Sequence, residues 1–128
     1  MVGVRSLTGD GAETEVKPEA IAALGQMLRG RLLTAGDAEY GDARQIWNGM
    51  IDRSPSLIGR CIDTADVMHC VQFAREHGLL VSVKGGGHNV AGKAVCDGAF
   101  MIDLSLMNRV RVDQRGPTAR AQGGAKWI

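Results

Sequence analysis

The sequence predicts an α/β fold in which a small parallel sheet packs against helices. Two short apolar runs, residues 57–62 and 79–83, flank a stretch with helical periodicity. A strand, a helix and a strand within about 27 residues form a βαβ unit, whose strands are expected to run parallel with a right-handed crossover. The second run predicts a buried strand and leads into three glycines, residues 85–87, at the sheet edge where open α/β folds bind ligands.

The N-terminal third predicts a leader, one helix and a short strand. Residues 1–16 are polar and show no periodicity, so we expect a flexible leader before a domain of residues 17–128. A helix is predicted over residues 18–29, because it opens with a proline and Gly30 can end it. Its inward face is expected to contain three apolar residues: Ile21, Leu24 and Leu28. Residues 31–34 predict a short strand.

A second helix is predicted from Asp63 to His77. The Asp63 carboxylate can cap its first turn, Asp66 lies near the positive end of the helix dipole, and Gly78 is suited to end it. Helical spacing predicts an inward face of three residues: Val67, Val71 and Ala74. The polar residues are interpreted as a solvated surface: Asp63, Asp66, Arg75 and Glu76.

The C-terminal part predicts a third strand and a hairpin. Residues 99–104 form an apolar run after an Asp-Gly turn and predict a buried strand. Residues 109–113 and 118–122 alternate apolar and polar side chains, which predicts a β-hairpin with one solvated face. Residues 123–128 resemble the start of a helix, so the chain is interpreted as one part of a longer protein.

Composition narrows the range of partners. The chain has 15 basic and 14 acidic residues, and aromatic residues make up 4%. A balanced charge and few stacking side chains argue against a nucleic acid or an anionic membrane as partner. No apolar run approaches the roughly 20 residues that span a bilayer, and no export signal is evident, so we expect a cytoplasmic protein. Three cysteines without C-x-x-C spacing fit reduced thiols in the core: Cys61, Cys70 and Cys96.

The glycine loop is the candidate binding site. Three residues without a Cβ let successive backbone N–H groups converge on an anion such as phosphate, and His88 follows directly. A P-loop is an alternative, because residues 87–94 read G-x-x-x-x-G-K-A. However, Ala94 replaces the hydroxyl that holds magnesium, and residues 95–98 cannot supply the long helix that cradles phosphates. In a third interpretation the glycines only form a turn and His88 is a surface residue.

Several separated motifs together resemble one known family. Residues 83–92 are similar to the R-S-G-G-H-N loop of the FAD-linked oxidases of the p-cresol methylhydroxylase and vanillyl-alcohol oxidase superfamily, particularly the berberine-bridge-enzyme-like branch. The family's I-D-L-S strand end is matched at residues 102–105, and its G-G-A-x-W step at residues 123–127. The resemblance covers about residues 42–128 and keeps the order of the motifs.

This resemblance implies a fold and a cofactor. The chain would be the N-terminal part of a PCMH-type FAD-binding domain, with a small parallel sheet, helices and a β-hairpin. Residues 84–89 would bind the FAD diphosphate and ribityl chain, and His88 would attach covalently to the flavin methyl group, for which a neutral imidazole is a competent nucleophile. The expected cofactor-binding residues are Lys84, Gly85, Gly86, Gly87, His88, Asn89, Val90 and Gly92.

The resemblance also implies an activity. Hydride would pass from an alcohol, amine or sugar-like small molecule to FAD, and oxygen would reoxidise it. The catalytic acid and base, and any second flavin-linking cysteine, would lie beyond Ile128, so the chain alone is expected to be inactive and to hold flavin poorly. Lys84 stands where Arg is usual and Gly85 where Ser is common, which keeps the charge but loses the guanidinium fork.

Two other functions remain open, and a few residues need a separate interpretation. The chain could be a catalytically silent fragment that associates with a second copy, or a nucleotide-binding module that uses the near-P-loop. His69 and His77, with Cys70, do not share a helix face and are expected to face solvent rather than bind metal. Trp47 and Trp127 are expected to be core or interface anchors, although either could approach the adenine or the flavin.

Overall fold

The computed structural model describes residues 3–126, and this part of the chain has mixed α and β structure, as predicted. The elements in chain order are β1 (Val4–Leu7), β2 (Glu13–Val16), α1 (Pro18–Met27), β3 (Arg31–Leu33), α2 (Tyr40–Ala43), β4 (Leu57–Arg60), α3 (Thr64–His77), β5 (Val81–Lys84), β6 (Phe100–Asp103), β7 (Val110–Asp113) and β8 (Thr118–Ala121). Within residues 3–126, no helix is long and apolar enough to cross a bilayer.

A four-stranded sheet with the order β3-β4-β6-β5 organises the chain. Strand β6 lies between β4 and β5 and is parallel to both, whereas β3 is antiparallel to β4. The predicted parallel relation of the strands on either side of α3 is therefore confirmed, with β6 inserted between them. All four residues of β6 are buried, as expected for the central strand of a covered sheet.

The two faces of this sheet form two separate apolar cores. Alternate residues of a strand point to opposite faces, so Phe100 and Ile102 pack with helices α1 and α3, while Met101 faces the other side. On that second side the core also contains Tyr40 and Val95. The predicted inward residues of α1, Ile21, Leu24 and Leu28, are all buried in the first core.

Strand β5 differs from the buried strand that its apolar sequence predicted. Val81 is 37% exposed and Val83 is 53% exposed, because β5 is an outer strand of the sheet and the described helices do not cover it. The predicted run began at Leu79, but Leu79 forms only an isolated bridge with Thr8.

Helix α3 has the predicted ends but a different inward face. Asp63 accepts a hydrogen bond from the Asp66 amide at 2.9 Å, and Gly78 ends the helix with φ +63°. Val71, predicted to point inward, is 52% exposed. The buried residues are instead Asp66, Cys70, Phe73 and Ala74. The inward stripe thus begins at a carboxylate, which apolar periodicity does not detect.

Asp66 is an interior hydrogen-bond acceptor, so the interpretation of this residue as part of a solvated surface is wrong. Its carboxylate accepts from the amides of Arg29 at 2.8 Å, Gly30 at 2.9 Å and Ile62 at 3.1 Å, and the residue is fully buried. Burial alone would raise the pKa of Asp66, but these amides and the Arg29 charge lower it below its usual value. Because the carboxylate holds the segment after α1, that helix stops at Met27 rather than Arg29.

The cysteines follow the prediction in part. Cys61 and Cys70 are fully buried in the first core, with their Sγ atoms 3.8 Å apart, whereas Cys96 is half-buried. The hydrogen bond with Cys70, together with burial, raises the pKa of Cys61. These two thiols therefore behave as small core side chains.

The segment expected to be a flexible leader forms a hairpin in the structure. Strands β1 and β2 pair antiparallel, and Ser6 and Val16 are buried. Leu7 joins this hairpin to the rest of the chain, since its amide donates to Gly98 O and its carbonyl accepts from the Leu80 amide, both at 2.8 Å. Strands β1 and β2 were not predicted because most of their residues remain at least partly exposed and the segment is therefore polar.

Strands β7 and β8 form the predicted second hairpin. All eight of their residues are exposed, so neither face is covered by the described residues. Residues 123–126 form a turn rather than the start of a helix, and Trp127 of the predicted G-G-A-x-W step lies outside the described residues.

Candidate functional site

Three charged residues mark the carboxyl ends of the three parallel strands. Arg60 ends β4, Asp103 ends β6 and Lys84 ends β5. The register places Arg60 and Lys84 on either side of Asp103, so their side chains leave the same face of the sheet. The glycine loop begins directly after Lys84, and the site is therefore built on rigid strand ends.

Asp103 is the central charge of this row. It is 1% exposed, its Oδ1 accepts from the Ser105 amide at 3.0 Å, and its Oδ2 lies 3.2 Å from Arg60 Nε. That ion pair lacks hydrogen-bond alignment, so Oδ2 and Nε have no hydrogen-bond partner among the described residues. The carboxylate supplies a buried negative charge between two cations.

Lys84 directs its ammonium group to the backbone of α2. The Nζ atom donates to Ala43 O at 3.0 Å. Burial lowers the pKa of Lys84, as do the nearby charges of Arg60 and Lys126, while the Asp103 carboxylate opposes this shift. A cation held in this way is available to a phosphate or a polarised carbonyl at the mouth of the loop.

The backbone amides of the glycine loop are free. Within residues 3–126, the hydrogen-bond pattern includes none in which an amide from residues 85–89 is the donor. Gly87 has φ +72°, which favours glycine, and a Cβ on Gly85 would overlap the carbonyl oxygen of Gly123, so in this chain a larger residue at 85, such as the serine common in similar loops, would require a shift of that backbone. Within the described residues, five consecutive N–H groups after a strand end thus donate no hydrogen bond, and main-chain donors of this kind are able to bind an anion such as a diphosphate.

A second segment, residues 43–53, holds the glycine loop from outside. The Trp47 amide donates to Gly87 O at 2.9 Å, and Asn48 Nδ2 donates to Val90 O at 3.0 Å. Arg53 donates to Gly92 O at 2.8 Å and to Val95 O at 3.1 Å. We call residues 43–53 the clasp, because these contacts fix the carbonyl side of the loop and leave its amide side free.

A cavity of about 180 Å³ lies between the clasp and the loop. Four of the predicted binding residues line it: Lys84, Gly85, Gly86 and His88. The other four predicted residues do not line the cavity. Gly87 and Gly92 are buried, and Val90 is 71% exposed. Asn89 stabilises the loop, because its Oδ1 accepts a hydrogen bond from the Lys93 amide at 3.3 Å. His88 is an exposed residue that lines the cavity.

Five further residues complete the cavity lining: Gln45, Ile46, Trp47, Ser105 and Lys126. Of these, sequence reasoning named only Trp47, as a residue that could approach the adenine or the flavin. Ser105 and Lys126 belong to the I-D-L-S and G-G-A-K-W motifs, so these motifs could have pointed to them. Trp47, expected to be a core or interface anchor, is 69% exposed. Nothing in the local sequence of the clasp indicates that it folds over a loop about 40 residues away.

The structure around the glycine loop differs from that of a P-loop, which was the alternative interpretation of this site. A P-loop requires a helix directly after its glycines, but residues 90–99 form turns and irregular structure, and Ala94 is buried. No group of three or more potential ligands able to hold a metal ion occurs within the described part of the chain. His69 and His77 are half-buried and line a groove between α1 and α3, away from the glycine loop.

Comparison with known proteins adds independent information. The FAD binding domain family matches residues 55–128. The chain is 39% identical over 97 residues to (R)-6-hydroxynicotine oxidase of Paenarthrobacter nicotinovorans, covering 76% of this chain and 21% of that protein. The crystal structure of 6-hydroxy-D-nicotine oxidase from Arthrobacter nicotinovorans is similar, with a TM-score of 0.72, 39% identity, and coverage of 77% of this chain and 22% of the other.

A carbohydrate oxidase shares the same fold region. The enzyme from Microdochium nivale, solved with a substrate analogue, gives a TM-score of 0.71 at 28% identity and covers 83% of this chain and 23% of its own. The chain thus spans about a fifth of the length of the relatives that it matches.

Proposed function

This chain belongs to the FAD-binding domain family of FAD-linked oxidoreductases, and from that premise we propose that the protein is a flavin-dependent oxidase. In this proposal the chain grips the FAD diphosphate with the glycine loop and carries His88 as the flavin attachment point. The complete protein oxidises a small organic molecule.

One observation carries the proposal: the amides of residues 85–89 donate no hydrogen bond to the described residues, and this loop borders a cavity that is lined by both a cation and an imidazole. Bound FAD would supply the hydride acceptor. The chain's own groups would bind the diphosphate through main-chain N–H donors, neutralise its charge with Lys84, and present His88 to the dimethylbenzene edge. Rigid strand ends and the clasp make the arrangement preorganised, which lowers the entropic cost of binding.

The proposed role of His88 is covalent attachment. A ring nitrogen would form a C–N bond with the flavin methyl carbon. One hydrogen leaves the methyl group and one leaves the imidazole, so two electrons must be passed on, and dioxygen can accept them with two protons to give hydrogen peroxide. The exposed imidazole is accessible for this reaction.

The electron donor is proposed to be an alcohol, amine or sugar-like molecule, and the acceptor oxygen. Two relatives support this class by name, since one is an oxidase of 6-hydroxynicotine and another is a carbohydrate oxidase. We further propose a cytoplasmic location, which suits the free thiols of Cys61 and Cys70.

His88→Ala tests this function in the full-length protein. The wild-type protein should be yellow, keep its colour after acid precipitation, and show an added flavin mass on the peptide that carries His88. The variant should release its flavin into the acid supernatant. His69→Ala is the matched control, because His69 lines the distant groove between α1 and α3. A wild-type protein without flavin after incubation with FAD would refute the proposal.

A self-associating fragment is the second candidate function. The exposed Val81 and Val83 of the outer strand β5 favour it, because an uncovered strand with apolar side chains can pair with another copy. A colourless dimer whose population rises with concentration would support this candidate over the oxidase.

A further inference from the structure

Trp47 occupies an unusual position for a large apolar side chain. It is 69% exposed, yet its indole ring lies against the His88 imidazole, with ring centroids 6.3 Å apart and planes at 87°. Perpendicular aromatic pairs at this spacing are favourable because the positive edge of one ring meets the negative face of the other. Among the described residues, the aromatic partner of this exposed indole is therefore the candidate attachment residue.

Hydrogen bonds hold the main chain of Trp47 beside the glycine loop. The Trp47 amide donates to Gly87 O, and the next residue, Asn48, donates from Nδ2 to Val90 O. A Cβ built on Gly87 would reach the Cα of Ile46 at 3.4 Å, so the clasp and the loop are already in close contact there. The backbone of Trp47 is thus attached to the same turn of the loop that carries His88.

Trp47 and His88 also line the same cavity. The rest of that lining is mainly polar or glycine, with Gln45, Lys84, Ser105 and Lys126 among its members. The indole supplies the only aromatic carbon surface that faces the cavity within residues 3–126, apart from the imidazole itself. An aromatic wall beside an imidazole suits a planar, methyl-bearing ring.

We propose that Trp47 is a positioning residue: its indole holds the His88 imidazole in one orientation and forms the wall against which the dimethylbenzene edge of the flavin rests. This inference rests on the proposed function and names the residue that prepares His88 for attachment. Loss of the ring contact should increase the rotational freedom of the imidazole, and an aromatic contact of this kind shifts such an equilibrium by roughly two- to tenfold.

The first test measures the His88 ring directly. Trp47→Phe keeps an aromatic ring, whereas Trp47→Leu keeps apolar bulk without one; both are expected to fold, because the side chain is exposed. In the FAD-free protein, the indole ring current should displace the NMR signals of the His88 ring protons. We expect the leucine variant to lose that displacement and the phenylalanine variant to keep part of it.

Met50→Leu is the matched control. Met50 belongs to the same clasp, is 92% exposed, and does not line the cavity. Its substitution should leave the His88 signals unchanged.

The second test measures attachment. Each protein is incubated with FAD, and the fraction whose flavin survives acid precipitation is followed over time. We expect attachment in Trp47→Leu to be slower by about threefold or more, while Trp47→Phe and Met50→Leu stay close to wild type.

The outcomes separate the two proposals. Wild-type ring-proton signals in Trp47→Leu, or attachment at the wild-type rate, would overturn the positioning role while leaving the oxidase proposal intact. If the wild-type protein takes up no FAD, the oxidase proposal and the flavin wall both fail, and the ring-proton comparison alone decides whether Trp47 orients His88.

Discussion

Gly85 shows how one missing Cβ shapes the binding loop. Strand β5 ends at Lys84, and the chain must then pass directly beside the backbone of Gly123. Any side chain at residue 85 would have to displace one of these two backbones, because neither contact atom belongs to a flexible group. The free amides that follow depend on this close passage.

Gly85→Ala is therefore expected to weaken FAD binding about tenfold or more and to destabilise the protein by about 1 to 3 kcal/mol. The reason is the forced shift of a loop that must present several amides to one ligand. Titration of FAD and chemical denaturation measure the two effects. Gly49→Ala serves as the control, because a Cβ there meets nothing within 4 Å. Equal affinities for the two variants would argue against the assigned geometry of the loop.

Lys84 illustrates what a single residue contributes to this site. In the similar R-S-G-G-H-N loops an arginine stands at this position, and the sequence alone indicated that lysine keeps the charge but loses the guanidinium fork. The structure shows a more specific role, since the ammonium group donates to Ala43 O and lies beside the buried Asp103. A guanidinium at this position would need to satisfy a larger fork of donors in the same space.

At the scale of elements, Asp66 connects α3 to two other segments. One side chain accepts hydrogen bonds from the segment after α1 and from the residue before the α3 cap. A buried carboxylate with three amide donors is more valuable to stability than an exposed ion pair, because each donor would otherwise be buried without a partner.

Asp66→Asn should destabilise the protein by about 2 to 3 kcal/mol, because an amide nitrogen would face backbone donors. Asp63→Asn should change stability by less than about 0.5 kcal/mol, since asparagine is an equally good helix cap. Urea denaturation at neutral pH measures both values. Similar losses in the two variants would mean that Asp66 has no special role.

The pH dependence of this difference has a defined sign. The pKa of Asp66 in the folded protein is lowered from the usual 3.8, so its contribution to stability is present above that value and is lost as the pH falls through the folded-state pKa. The stability advantage of wild type over Asp66→Asn should therefore shrink below about pH 4. A constant advantage down to lower pH would contradict the charged interior acceptor.

Elements with strong local sequence signals could be predicted, whereas features that depend on tertiary contacts could not. Strong local signals gave β6, the Asp63 cap, the Gly78 end and the second hairpin, because apolar runs and turn residues act over a few residues. Val67 and Ala74 of α3 pack toward the core as predicted, but Val71 was wrongly placed on the inward face because a polar residue, Asp66, begins the inward stripe. The first hairpin escaped prediction because only Ser6 and Val16 of its strands are buried. The clasp residues Gln45 and Ile46 were missed at the cavity because the clasp reaches it through tertiary contacts.

At the scale of the whole molecule, the described residues leave apolar side chains exposed on two strand surfaces. The outer strand β5 exposes Val81 and Val83 on the face that carries α1 and α3. The hairpin of β7 and β8 adds Val110 and Val112, which are 59% and 65% exposed. Such apolar patches on or beside a strand edge favour association with other protein surfaces.

We expect the purified 128-residue chain to self-associate as its concentration rises, and Val83→Lys to reduce this association at least about threefold, because a lysine on an outer strand opposes pairing. Sedimentation velocity over a range of concentrations measures the effect. Met68→Lys is the control, since Met68 is 66% exposed on α3, away from the strand edge. If both variants associate like wild type, β5 is not the contact surface.

The alignment of Arg60, Asp103 and Lys84 depends on the number of residues between α3 and the glycines, and an odd and an even change in that number have different consequences. If β5 slipped by one residue along β6, Val83 would stand opposite Asp103, and the lysine would turn to the helix side of the sheet. The loop would also be displaced by about 3.3 Å. An insertion or deletion of one residue between α3 and the loop therefore moves Lys84 to the opposite face of the sheet. A change of two residues keeps the lysine on its present face and only shifts the loop along the strand direction.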